Sequence, residues 1–93
     1  MSSLPLDLAL AVAAAGVDIE RADDQLEAAL RSAIADRRGY LGDVVMIDAG
    51  YRVELLAPIR DAFEGRTVAV ALAWCLVFLM GDTGELGIGG FSA

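Results

Sequence analysis

The chain contains no histidine, no lysine and no asparagine, and its only cysteine is Cys75. Without imidazole there is no Ser–His or Cys–His pair and no His ligand for zinc, and without lysine there is no Schiff base. One cysteine forms neither an intrachain disulfide nor a multi-cysteine metal site. We therefore expect no catalytic site, no cofactor and no metal, which predicts a non-enzymatic protein.

Positive charge is also scarce. Seven arginines stand against fourteen acidic residues, so the net charge is −7 at pH 7. A field of this sign repels the phosphates of nucleic acids and anionic lipid headgroups. We expect no nucleic-acid partner, and a cytoplasmic location fits a lone cysteine in an apolar run.

What the chain does have is apolar surface. Its 93 residues are 57% hydrophobic, and the mean hydropathy is +0.57. This length supports one core, and this composition excludes a wholly disordered chain. We interpret residues 1–83 as a single small globular domain and residues 84–93 as a glycine-rich C-terminal tail.

The first half of the sequence has helical periodicity. Residues 5–15 form a predicted Ala-rich helix that ends at Gly16, and a long central helix is predicted over residues 18–38, with Asp18 as its N-cap. Apolar residues recur on one face of the long helix at i, i+3, i+4 and i+7 spacing. They are Ile19, Ala22, Leu26, Ala29, Leu30, Ala33 and Ile34.

Residues 43–56 predict a small β-hairpin, with a three-residue loop ending at Gly50. A helix broken near Pro58 is the alternative for this stretch. In the hairpin interpretation, Pro58 begins a short helix that runs to Phe63.

Residues 67–80 contain no charge. As a helix they span about 21 Å, short of the ~30 Å apolar thickness of a bilayer, and a helix without a polar face is buried. Cys75 is then an inert buried thiol. The predicted fold is mainly α, a compact helical domain built on the helices 18–38 and 67–80. The alternative is an α+β fold with 67–80 as a central strand, because Val and Leu alternate with Ala there.

So much apolar sequence in so short a chain predicts a protein partner. We expect a small structural or adaptor subunit that self-associates or packs into a larger assembly through an apolar surface. Membrane association through residues 67–80, or an acidic inhibitor or immunity-type protein, are the alternatives. The predicted interaction residues lie on the apolar run and on the tail; they are Val70, Trp74, Phe78, Leu86, Ile88 and Phe91.

Overall fold

The computed structural model describes residues 4–83, which form three helices and one three-stranded antiparallel sheet. In chain order the elements are α1 (Leu6–Ala14), α2 (Asp23–Asp36), β1 (Tyr40–Ile47), β2 (Gly50–Ala57), β3 (Asp61–Gly65) and α3 (Val68–Thr83). The strand order in the sheet is β1-β2-β3.

The fold is α+β, so the prediction of a mainly α domain is wrong. The class is the one given as the alternative, but the strands come from residues 40–65, and the charge-free segment 67–80 is helix α3. The short helix predicted from Pro58 to Phe63 is also wrong, because Asp61–Gly65 pairs with β2 as a strand. In this pairing Val53 lies opposite Phe63 and Leu55 opposite Asp61, so β2 is the central strand of the sheet.

Helix α1 is confirmed, and Gly16 follows it with a φ of +91°. The long central helix is confirmed only in part, since α2 begins at Asp23 and not at residue 18. The Asp18 carboxylate instead accepts a hydrogen bond from the Glu20 backbone N–H at 3.1 Å and lies 3.5 Å from Arg21. A local Asp turn therefore competes successfully with helix N-capping at this position.

The predicted hairpin is present and longer than expected. Ile47 pairs with Gly50, so the turn has two residues and not three. Gly50 has a φ of +146°, and a Cβ there would collide with the Gly65 carbonyl oxygen on β3. Glycine is therefore required at this position both by the turn and by the close approach of β3.

Helix α3 is the middle layer of the fold. It packs against β2 and β3 on one side and against α1 and α2 on the other. This arrangement buries an element that has no polar face of its own. The α3 residues in the core are Ala69, Val70, Ala71, Leu72, Ala73, Cys75, Leu76, Leu79 and Met80.

The buried stripe of α2 gives the first test of the fold. Leu30 is 0% exposed and Leu10 on α1 is 59% exposed. We expect Leu30→Asp to lower the free energy of unfolding by more than about 3 kcal/mol, because it removes a core side chain and buries an unpaired carboxylate. The same substitution at Leu10 should cost less than about 0.5 kcal/mol. Urea unfolding followed by circular dichroism measures both, and similar losses would mean that the core of α2 is misassigned.

Candidate interaction surface

Strand β1 carries the largest group of exposed apolar side chains on the sheet. Met46 is 74% exposed, Tyr40 67%, Val45 49% and Val44 36%. Within residues 4–83, β1 pairs with β2 on one side and has no strand on its other side. The strand therefore presents an open edge together with apolar side chains, and we refer to residues 43–47 as the β1 edge segment.

The exposure of β1 follows from the position of α3. Because α3 packs on β2 and β3, the inner face of the sheet is covered there, and Val53 and Leu55 are fully buried. Residues directly opposite each other in an antiparallel ladder share a face. Val44 lies opposite Val53 and Met46 opposite Tyr51, so both point to the inner face, beyond the area that α3 covers.

The outer face of the sheet is mainly polar around Val45, which lies opposite Arg52. Arg52 donates two hydrogen bonds to Glu64 Oε2 on β3, at 3.0 and 2.8 Å. A shallow groove of about 280 Å³ runs across this face. It is lined by Asp43, Val45, Arg52, Glu54 and Ala62. Both partners of the Arg52–Glu64 pair are about half exposed, so the pair orders the surface and adds little stability.

The opposite edge of the sheet differs from the β1 edge segment. Strand β3 has five residues, and its charged residues Asp61 and Glu64 are both exposed. Short length and charge are the features that keep a sheet edge from pairing with another chain. The β1 edge segment has one charged residue, Asp43, followed by four apolar ones. The β1 edge is therefore the one that is open to pairing with a strand of another chain.

Three of the interaction residues predicted from the sequence lie along one side of α3. Trp74 is 44% exposed, while Val70 is only 8% exposed and packs close to Gly65. Phe78 is half-buried, and its ring centroid lies 5.4 Å from that of Phe63 on β3. This strip therefore lies over the β3 side of the sheet, two strands from β1. Its role in binding stays a prediction, and Trp74 is its accessible residue.

The other three predicted residues, Leu86, Ile88 and Phe91, lie outside the described residues. The β1 edge segment was not among the predicted interaction residues, although the sequence contains a signal for it. Val44 to Ile47 is an uninterrupted apolar run in a predicted hairpin. Because side chains of a strand alternate between two faces, such a run is buried only if both faces are covered. A small domain with few helices does not cover both.

Among the side chains described in residues 4–22 and 24–81, no polar or charged one is buried, and the described residues contain no group of three potential metal ligands. No helix of the described residues is long and apolar enough to cross a bilayer. The segment that suggested membrane association is largely enclosed by this chain's own sheet and helices.

Cys75 is buried, as predicted. Desolvation by burial, with a smaller effect of the negative charge of Asp61, raises the pKa of the thiol from 9.0 to about 11. A thiol with a raised pKa is a poor nucleophile near neutral pH. The geometry and the pKa together indicate a core residue.

No protein family, curated protein or solved structure that was compared with this chain matches it.

The raised pKa of Cys75 gives a prediction of pH dependence. Above pH 9 the thiol ionises in the unfolded chain but stays protonated in the folded one until about pH 11. Folding stability is thus fully present below pH 9 and falls as pH rises to 11, by about 2 kcal/mol. The measurement is urea unfolding across this range, with Cys75→Ala as the control. An equal loss in the control would show that other groups cause it.

Proposed function

We propose that this protein is a non-enzymatic, small acidic structural or adaptor subunit that binds protein through the β1 edge segment. The observation that carries the proposal is a strand at the sheet edge on which three adjacent apolar side chains, Val44, Val45 and Met46, are exposed. Open backbone groups on such a strand accept an added strand from another chain, and the side chains beside them supply apolar contact.

The distribution of charge supports the same surface. The chain carries a net charge of −7, yet residues 44–47 carry none. A partner approaching the β1 edge segment therefore meets less like-charge repulsion and less desolvation of charge than elsewhere. Asp43 alone lies at the start of the segment, where it restricts the alignment of an incoming strand.

A partner strand would also remove the exposed apolar side chains from water. Fully burying a Val or Met side chain contributes roughly 1.5–3 kcal/mol relative to exposure. Val44, Val45 and Met46 are adjacent and each at least one-third exposed, so one partner strand gains from all three. This gain combines with the hydrogen bonds of strand addition and offsets the entropy lost on association.

One substitution on each candidate surface tests the proposal. Val45→Lys places a charge on the β1 edge segment, and Trp74→Lys places one on the exposed strip of α3. We expect the unmodified chain to be an oligomer, or a monomer that binds a neutral apolar dye. Val45→Lys should abolish that behaviour, since it charges the edge, while Trp74→Lys should preserve it. Light scattering and dye fluorescence are the measurements, with circular dichroism to verify folding.

A monomer that binds no apolar dye would contradict the proposal. Loss of association in Trp74→Lys but not in Val45→Lys would instead assign the interaction to the α3 strip predicted from the sequence. The acidic inhibitor alternative depends on the net charge alone. It stays a prediction.

A further inference from the structure

We infer that the partner of the β1 edge segment is a second copy of this chain, paired antiparallel through β1 with Val45 opposite Val45 of the other copy. The inference rests on the function proposed above and names its partner. The result is a continuous six-stranded sheet with a two-fold axis at Val45. Isologous two-fold dimers are the commonest assemblies of identical chains.

The faces of β1 permit this pairing. Directly opposite residues in an antiparallel ladder lie on the same face, so a two-fold pairing must join inner residues to inner residues. Val44 and Met46 point to the inner face and Val45 to the outer one. With Val45 at the centre, Val44 of each copy lies opposite Met46 of the other. The inner side chains that α3 leaves exposed then cover each other.

Every alignment centred on a residue satisfies this face rule, but only three pair at least three residues of the β1 edge segment, with Val44, Val45 or Met46 at the centre. Centring on Met46 leaves only residues 45–47 paired within β1 and places Val44 opposite Asp48 of the other copy. Centring on Val44 extends the pairing through residues 42 and 43. Leu41 pairs with Leu55 and Val44 pairs with Val53, so β1 has one more residue than β2 between these two pairs. The extra residue forms a bulge. A bulge bends the strand and interrupts a straight ladder.

The charge of Asp43 selects between the remaining alignments. With Val44 at the centre, Asp43 lies opposite Val45 of the other copy, and the two Asp43 carboxylates are displaced by two residues, roughly 7 Å. With Val45 at the centre they are displaced by four residues, roughly 14 Å, which exceeds the ~8 Å screening length at physiological salt. The alignment on Val45 therefore keeps the regular residues 44–46 at its centre, meets the bulge only at Asp43, and avoids the repulsion.

The opposite edge does not offer an equivalent interface. Strand β3 is shorter, and Glu64 on its outer face is held by Arg52 at 2.8 Å. A pairing of β1 with β3 of another copy would be head-to-tail and would not close into a dimer. The β1–β1 pairing closes and leaves only the charged β3 edges at the ends of the sheet.

Engineered cysteines report the alignment directly. Opposite residues in an antiparallel pair have Cα atoms about 4.5–5.5 Å apart, within the 4.4–6.8 Å range of disulfides. In the inferred dimer only position 45 meets this condition, because residues 44 and 46 are each roughly 8 Å from their own counterparts. The full chain is prepared as Val45→Cys, Val44→Cys or Met46→Cys and oxidised mildly. The native Cys75 is buried, so the unmodified chain is the background control.

We expect a dimeric mass for the unmodified chain, and a disulfide-linked dimer in Val45→Cys at least about five-fold more abundant than in the other two variants. Preferential cross-linking of Val44→Cys or Met46→Cys would overturn the alignment. A dimer that no variant cross-links and that persists in Val45→Lys would overturn both this inference and the proposed function. A monomer whose dye binding is lost in Val45→Lys would overturn the self-pairing alone, because the edge would then be open to a different partner or covered by residues 84–93.

Discussion

Helix α3 imposes the constraint on which the rest of the structure depends, because it is apolar on all sides and needs cover on all sides. The described chain meets most of this need with two layers, helices α1 and α2 on one side and strands β2 and β3 on the other, and leaves Trp74 44% exposed. Small residues make the close contact possible. Ala69, Ala71 and Ala73 are fully or almost fully buried, and a Cβ at Gly65 would come within 2.7 Å of the Ala71 backbone nitrogen. The position of α3 thus fixes which strands are covered, and β1 is left at the uncovered margin.

The same constraint explains the gradient of burial along β1. Leu41 packs against the core, Val44 is borderline, and Met46 is mostly exposed, so exposure rises toward the hairpin turn. Side chains of one face of one strand therefore experience different environments because the covering helix does not extend over the whole sheet. The exposed end of β1 also lies beyond the bulge, where the strand is regular and an added strand can pair with it. Apolar exposure and open backbone groups coincide in residues 44–46.

The sequence pattern alone predicted those helices and strands whose own residues show a clear periodicity. The stripe through Leu26, Leu30 and Ile34 and the charge-free run of α3 were predicted correctly as buried helix, and the alternation around Val53 indicated a strand. Strand β3 could not be predicted in this way, because Asp61–Gly65 contains one large apolar residue and forms a strand only by pairing with β2. Similarly, Asp18 satisfies the N-cap pattern, but its carboxylate is used in a local turn. The interaction residues were predicted on α3 and on the tail, and not on β1. Apolar content indicates that some segments need cover, but it does not indicate which segment provides the cover and which is left exposed.

Net charge and the uncharged edge act together on association. Two molecules that each carry −7 repel in most orientations, and this repulsion disfavours nonspecific contact between apolar patches. An approach through residues 44–47 brings uncharged surfaces together and keeps most of the acidic residues at a distance. Strand pairing is also strictly directional, since a displacement by one residue would place inner side chains opposite outer ones. In the proposed dimer, charge would exclude most encounters and strand geometry most alignments. A small apolar surface would then specify one partner surface, although it is too small to be selective by itself.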